Sequence, residues 1–193
     1  VDEFLKSTDV IDWQHPEIVV RATALRGDLT SAEDIARRCF EWVRDEVGHS
    51  VDVGATVVTC AASEVLRERT GYCYAKSHLL AAVLRANGIP AGLCYQRLSI
   101  DGAGSPFCLH GFNALFLASV GWYRVDARGN RAGVDTQFMP PDERLAYAIG
   151  VPGEATFPDI WPDPLPAVVS ALRTYTDARQ LAEHLPDLPL ETA

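Results

Sequence analysis

The sequence predicts an α+β fold: helices in the first half, an antiparallel β-sheet after them, and a single helix, packed on that sheet, that carries a candidate nucleophile. Two observations support this. Up to Ala86 the apolar residues recur at spacings of three and four, whereas beyond Pro90 the texture becomes alternating, with Leu93, Tyr95 and Arg97 interleaved with Cys94, Gln96 and Leu98. Between the two regimes lies a helix stop, in which Asn87 and Gly88 supply a left-handed cap and Pro90 blocks continuation.

Taken in order, Trp13 within Asp12-Trp13-Gln14-His15-Pro16 is placed to pin the N-terminal segment, and a short helix is expected from His15 to Leu25. A second helix starts at Thr30 or Ser31 as cap, carries Ile35, Cys39, Trp42 and Val43 on one apolar stripe, and ends near Gly48. His49 to Thr59 has no helical period and reads as a loop passing over the site, with room for a short strand. A third helix follows over Ala61 to Arg69, with Ser63 as a cap and Val65 and Leu66 facing inward.

Gly71 then permits a turn that a Cβ would obstruct, and the helix from Cys73 to Ala86 buries Leu79, Leu80, Val83 and Leu84. Strands are expected over residues 92–99, 110–118 and 122–127. The tight connection at residues 119–121 makes the last two antiparallel. Pro140-Pro141 opens a short helix or turn, a proline-punctuated run covers residues 152–166, and two short helices follow over Ala167 to Tyr175 and Asp177 to Leu185. The expected organisation is one domain over residues 1–193, with its core at about 30–130 and a helical extension over 140–193.

Composition narrows the function classes. The 193 residues are 48% hydrophobic, enough for a sizeable core, and the net charge of −9 disfavours non-specific binding to nucleic acid or anionic membranes. The opening VDEFLKSTDV has neither the basic nor the apolar region of a secretory signal, and no run of about 18 apolar residues occurs. Five scattered cysteines, Cys39, Cys60, Cys73, Cys94 and Cys108, read as reduced thiols of a cytoplasmic protein. No phosphate-loop, serine-elbow or zinc-protease motif is present, and no C-x-x-C pair supports reading Cys108 and His110 with Cys60 or Cys94 as a zinc site. No metal or cofactor is expected, and the oligomeric state is left open.

Cys73 stands at a helix N-terminus, where unpaired N–H groups and the positive end of the helix dipole favour negative charge on sulfur. Alone it would read equally well as a small buried residue. A cysteine nucleophile needs a base and a group to orient that base. His110 begins one expected strand and Asp126 ends the next, so folding the hairpin brings the two roughly opposite each other. His110 alone would be a structural histidine, and Asp126 alone a turn cap before Arg128-Gly129. His78, one turn into the cysteine helix, reads as locally satisfied, Cys94 and Cys108 as packing, and Trp122 as packing that shields the three.

Gly71-Tyr72-Cys73, the run Leu84-Arg85-Ala86-Asn87-Gly88-Ile89-Pro90-Ala91, His110-Gly111-Phe112-Asn113 and Trp122-Tyr123-Arg124-Val125-Asp126 together resemble the nucleophile, histidine and aspartate motifs of the bacterial transglutaminase-like superfamily, relatives of the papain-like cysteine enzymes. The family's strand often carries a glutamate where this chain has Asn113. The resemblance implies a papain-like core and acyl transfer through a thioester, with Cys73 as nucleophile, His110 as general base and acid, and Asp126 as orienter. The Cys73 backbone N–H would be one oxyanion donor. Tyr72 and the His49 to Asp52 loop are candidates for the second. The implied reaction is hydrolysis of a peptide, isopeptide or related amide bond. The alternatives are transfer to an amine acceptor, as in a transglutaminase or amide-bond-forming acyltransferase, and a non-catalytic binding module that keeps the fold.

Overall fold

The computed structural model describes residues 1–190. A turn of 3-10 helix at Asp2–Leu5 is held by Trp13, whose indole N–H donates to the Leu5 carbonyl at 2.9 Å. Helices α1 (Pro16–Arg26) and α2 (Ala32–Glu46) follow, the second capped by Ser31, whose hydroxyl accepts the Asp34 N–H. Strand β1 (Gly48–His49) then leads into a loop, and α3 (Ala62–Glu68) into β2 (Thr70–Gly71), which pairs in parallel with β1. Ser63 does not cap α3. Instead Glu64 reaches back and accepts the N–H groups of Cys60 and Ala61.

Helix α4 (Cys73–Ala86) is the centre of the molecule: every residue from Cys73 to Arg85 is buried. Helices α1, α2 and α3 pack against it, as do strands β3 (Ala91–Ser99) and β4 (Phe107–Leu117). Its buried Arg85 is solvated by backbone carbonyls, donating to those of Lys6, Ala91 and Pro162. At its end only Gly88 takes the left-handed conformation, at φ +75°, while Asn87 turns its amide onto the carbonyls of Ala22 and Val83.

The main sheet continues with β5 (Gly121–Val125) on the far side of β4, so the α+β plan of a helix on an antiparallel sheet holds. Beyond it the chain departs from the expected helical extension. Strands β6 (Gln137–Met139) and β7 (Asp142–Arg144) form a hairpin, and of the short helix or turn expected at Pro140-Pro141 it is the turn that forms, joining the two strands. Strand β8 (Ala155–Thr156) then joins the main sheet beside β3, giving the order β5-β4-β3-β8. Among the described residues of this region, α5 (Pro166–Thr174) and α6 (Ala178–Ala182) alone are helical. Residues 140–165 carry too few periodic apolar positions to hold a helix, and their backbone groups find partners in the sheet and the site instead.

Two further expectations need correcting. Gly71 is not a turn glycine: the left-handed residue is Arg69, at φ +56°, and Gly71 is needed because a Cβ there would lie 2.9 Å from the Ala75 Cβ. Trp122 does not shield the three candidate residues. It packs on Phe4 and Phe116 and against a separate cluster of Cys94, Phe112 and Ala114.

Candidate active site

The N-terminus of α4 abuts β4 at a point where the strand has no side chain. A Cβ on Gly111 would sit 3.1 Å from the Tyr74 Cα, so glycine is what allows the helix to come this close. The Gly111 N–H consequently points at the Cys73 sulfur, 3.4 Å away. Tyr74 hydrogen-bonds the Leu109 carbonyl from the same helix turn, and Asn113 donates to the carbonyls of Ser77 and Gly92. Asn113 thus ties α4 to β4 and β3, a role its amide can fill and a glutamate could not.

His110 lies one residue before that contact, and its Nε2 bonds Asp126 Oδ2 at 2.7 Å. The register sets Asn113 opposite Val125, which puts Asp126 level with Phe112. His110 and Asp126 therefore meet across a diagonal of the hairpin, two residues displaced from directly opposite, which side chains of this length can span. With Nε2 committed to the carboxylate, Nδ1 is the ring nitrogen left for the nearby Cys73. The structure thus brings Cys73, His110 and Asp126 together in one row, with the His110–Asp126 bond at its far end.

All three are buried: Cys73 is 7% exposed, His110 4% and Asp126 0%. Burial opposes a charge on His110, but the hydrogen-bonded Asp126 carboxylate and the nearby Cys73 outweigh it and hold the imidazole well above its usual range. Burial likewise opposes ionisation of Asp126. The positive His110 ring and the N–H groups of Ala146 and Arg128, both at 3.0 Å, more than offset it, so the carboxyl stays below its usual range.

Cys73 and His110 line a 420 Å³ cleft, with Asp126 buried behind the ring, and the other lining residues include His49, Val51, Tyr72, Ile100, Arg128 and Tyr147. Tyr147 sets its ring edge-on to His110, with centroids 4.9 Å apart. Arg128 makes two hydrogen bonds to Asp52. Among the expected oxyanion donors, the Tyr72 hydroxyl is turned away, donating to the Ala178 carbonyl at 2.6 Å. His49 stands in the cleft wall.

Ala146, Tyr147 and the Arg128–Asp52 pair carry no local sequence signal for this position. One clue was available for Arg128, a buried arginine two residues after Asp126 that needs an acid such as Asp52 to be tolerated. Lys76, one turn below Cys73, is also buried. It donates to the carbonyls of Arg44 and Val47, and burial, aided by the charge of Arg128, brings its pKa down to about 7. His78 faces the Cys60 carbonyl and takes no part in the site. Among the described residues no group of three or more His, Cys, Asp or Glu is arranged to hold a metal ion, and no helix is long and apolar enough to cross a membrane.

The description of the transglutaminase-like superfamily matches residues 21–127. Among solved structures, this chain resembles a protein of Cytophaga hutchinsonii provisionally named a cysteine protease, at 20% identity and a TM-score of 0.53, over 66% of this chain and 42% of that one. It also resembles the periplasmic domain of TgpA from Pseudomonas aeruginosa, at 21% identity and a TM-score of 0.47, over 64% of this chain and 45% of that one. The chain thus spans less than half the length of either structure. No significant match was found among curated proteins.

Proposed function

This chain belongs to the transglutaminase-like superfamily and resembles a solved structure provisionally named a cysteine protease, and from that premise we propose that it is a cysteine enzyme of acyl transfer. The observation that carries the proposal is Cys73 beside the bonded His110–Asp126 pair, with Cys73 and His110 lining an open cleft. Cys73 attacks the carbonyl carbon of a peptide, isopeptide or related amide, forming the C–S bond while His110 holds the thiol proton. The C–N bond then breaks, and His110 passes that proton to the leaving amine. Water enters, gives its proton to His110, and its oxygen displaces the sulfur to release the acid and regenerate the thiol. Asp126 fixes the ring so that Nδ1 faces sulfur throughout. The Cys73 backbone N–H, free of any helical acceptor in the first turn, supplies one hydrogen bond to the oxyanion.

Hydrolysis is favoured over transfer to an amine by the exposure of the cleft rim. Val51 is 60% exposed and Ile100 53%, so water has open access to a thioester formed at Cys73. The test is intact-mass detection of an acyl adduct after mixing the protein with a library of activated esters, peptides and amides, with and without an added amine. An adduct on Cys73 that decays to acid is expected. Its absence with every acyl donor would overturn the proposal, and decay only when amine is present would replace hydrolysis with acyl transfer to that amine.

A further inference from the structure

The side chains that line the cleft are nearly all committed. Arg128 is bound to Asp52, the Tyr72 hydroxyl to Ala178, and Ser99 Oγ to the Gly104 carbonyl. Arg131 is half exposed at the rim, where water competes for it. His49 differs from all of them: it is 9% exposed, lines the cleft, and its Nδ1 is sealed in the protein without a partner.

Its position is rigidly set. Strand β1 lies beside β2 with His49 level with Gly71, two residues before Cys73, and parallel strands stand only about 4.8 Å apart. The rung is bonded above and below, by the Gly48 N–H to the Arg69 carbonyl and by the Ser50 N–H to the Gly71 carbonyl, both at 3.0 Å. The Thr70 hydroxyl donates to the Gly48 carbonyl, and the buried Lys76 amine holds that of Val47. The ring itself leans on Tyr72, with centroids 5.6 Å apart.

We infer that His49 is the second oxyanion donor, a neutral imidazole whose Nε2–H meets the substrate carbonyl oxygen as Cys73 attacks. The inference rests on the acyl-transfer reading above. A proton on Nδ1 would have nothing to donate to in its sealed pocket, so the single proton of a neutral ring belongs on Nε2. The ring is neutral at any working pH, because burial, with the nearby Arg128 charge, pulls its pKa down to about 3. A neutral donor also suits the chemistry: it stabilises the oxyanion without offering a proton acidic enough to quench the thiolate.

The test separates attack on a carbonyl from attack on a saturated carbon, which develops no oxyanion. Single-turnover acylation of Cys73 by a p-nitrophenyl ester is measured beside its alkylation by iodoacetamide, in the wild type, His49→Ala and His49→Gln. Loss of the donor is expected to slow acylation 10²- to 10³-fold in His49→Ala while alkylation stays within about threefold. His49→Gln, whose amide N–H reaches a similar point, is expected to recover at least tenfold. Equal acylation in wild type and His49→Ala overturns the inference alone. Parallel loss of acylation and alkylation overturns it too, since it would assign His49 a structural role. A wild type that alkylates but never acylates overturns the acyl-transfer reading and this inference together.

Discussion

The cleft has two walls of different construction. One is made of regular elements: the first turn of α4, the middle of β4 and the β1–β2 rung, tied together by hydrogen bonds. The other is irregular chain between β7 and β8, which reaches the site through the Ala146 N–H on Asp126 and the Tyr147 ring on His110. Groups that must be positioned to a fraction of an ångström sit on the first wall. Groups that orient or shield them come from the second, so the two walls should answer differently to mutation.

The largest effect is expected from Cys73→Ala, which removes the only sulfur in the row and should abolish acyl transfer with little change in thermal midpoint. In the wild type, mass-resolved iodoacetamide labelling should find Cys73 first. Burial pushes the Cys39 and Cys94 thiols up to about 12 and those of Cys60 and Cys108 to about 11, so uniform labelling of all five would count against the site. Asp126→Asn should lower kcat on the order of 10²-fold or more, because the amide cannot favour the charged ring. The same carboxylate keeps His110 protonated above its usual range, so the alkaline limb of kcat/KM should lie above pH 6.5, and Asp126→Asn should draw it down.

On the regular wall, Gly111→Val would drive a side chain into Tyr74 and should cost about 1–3 kcal/mol of stability as well as activity, read by urea unfolding and turnover together. On the irregular wall, Tyr147→Ala should reduce turnover about tenfold while moving the unfolding midpoint little. Equal stability losses in the two variants would erase the distinction between the walls.

Acid should test the regular wall from another side. His49 and His78 are buried neutral, with burial as the leading cause in each, at about 3 and about 4 against about 6.5 in an unfolded chain. Between those values the unfolded state binds the extra protons, so stability present above pH 6.5 is lost as pH falls. At pH 4 this is on the order of 3 kcal/mol for each, partly opposed by His110, whose raised value makes its contribution largest at low pH. Urea midpoints that do not fall between pH 6.5 and 4 would contradict the buried, neutral placement of both rings.

What could be read from sequence follows the same division. Helix α4 announces itself through Leu79, Leu80, Val83 and Leu84 and its stop at Gly88, and the strands through their alternation, because these are local patterns imposed by burial on one face. The diagonal meeting of His110 and Asp126 is only roughly legible, since the register is set by pairings that no single segment encodes. Within residues 140–165 only the turn at Pro140-Pro141 is legible. Their conformation is decided by distant partners, such as Glu154 accepting the Ser99 N–H and Tyr147 giving its carbonyl to Gln96. Gly71 and Trp122 were misread for a related reason. Glycine suggests a turn, but here its value is the missing Cβ, and the face a strand tryptophan takes depends on what covers the sheet.

Placing the nucleophile on the most enclosed helix also has a consequence in time. The amides of α4 have no route to exchange with solvent short of opening the whole core, so they should be among the slowest in hydrogen–deuterium exchange. The first turn of α4 cannot fray on its own while Gly111, Tyr74 and Asn113 clamp it to the sheet. Reactivity at Cys73 should therefore persist undiminished up to the global transition and vanish with it, so that heat inactivation and loss of fold trace one curve.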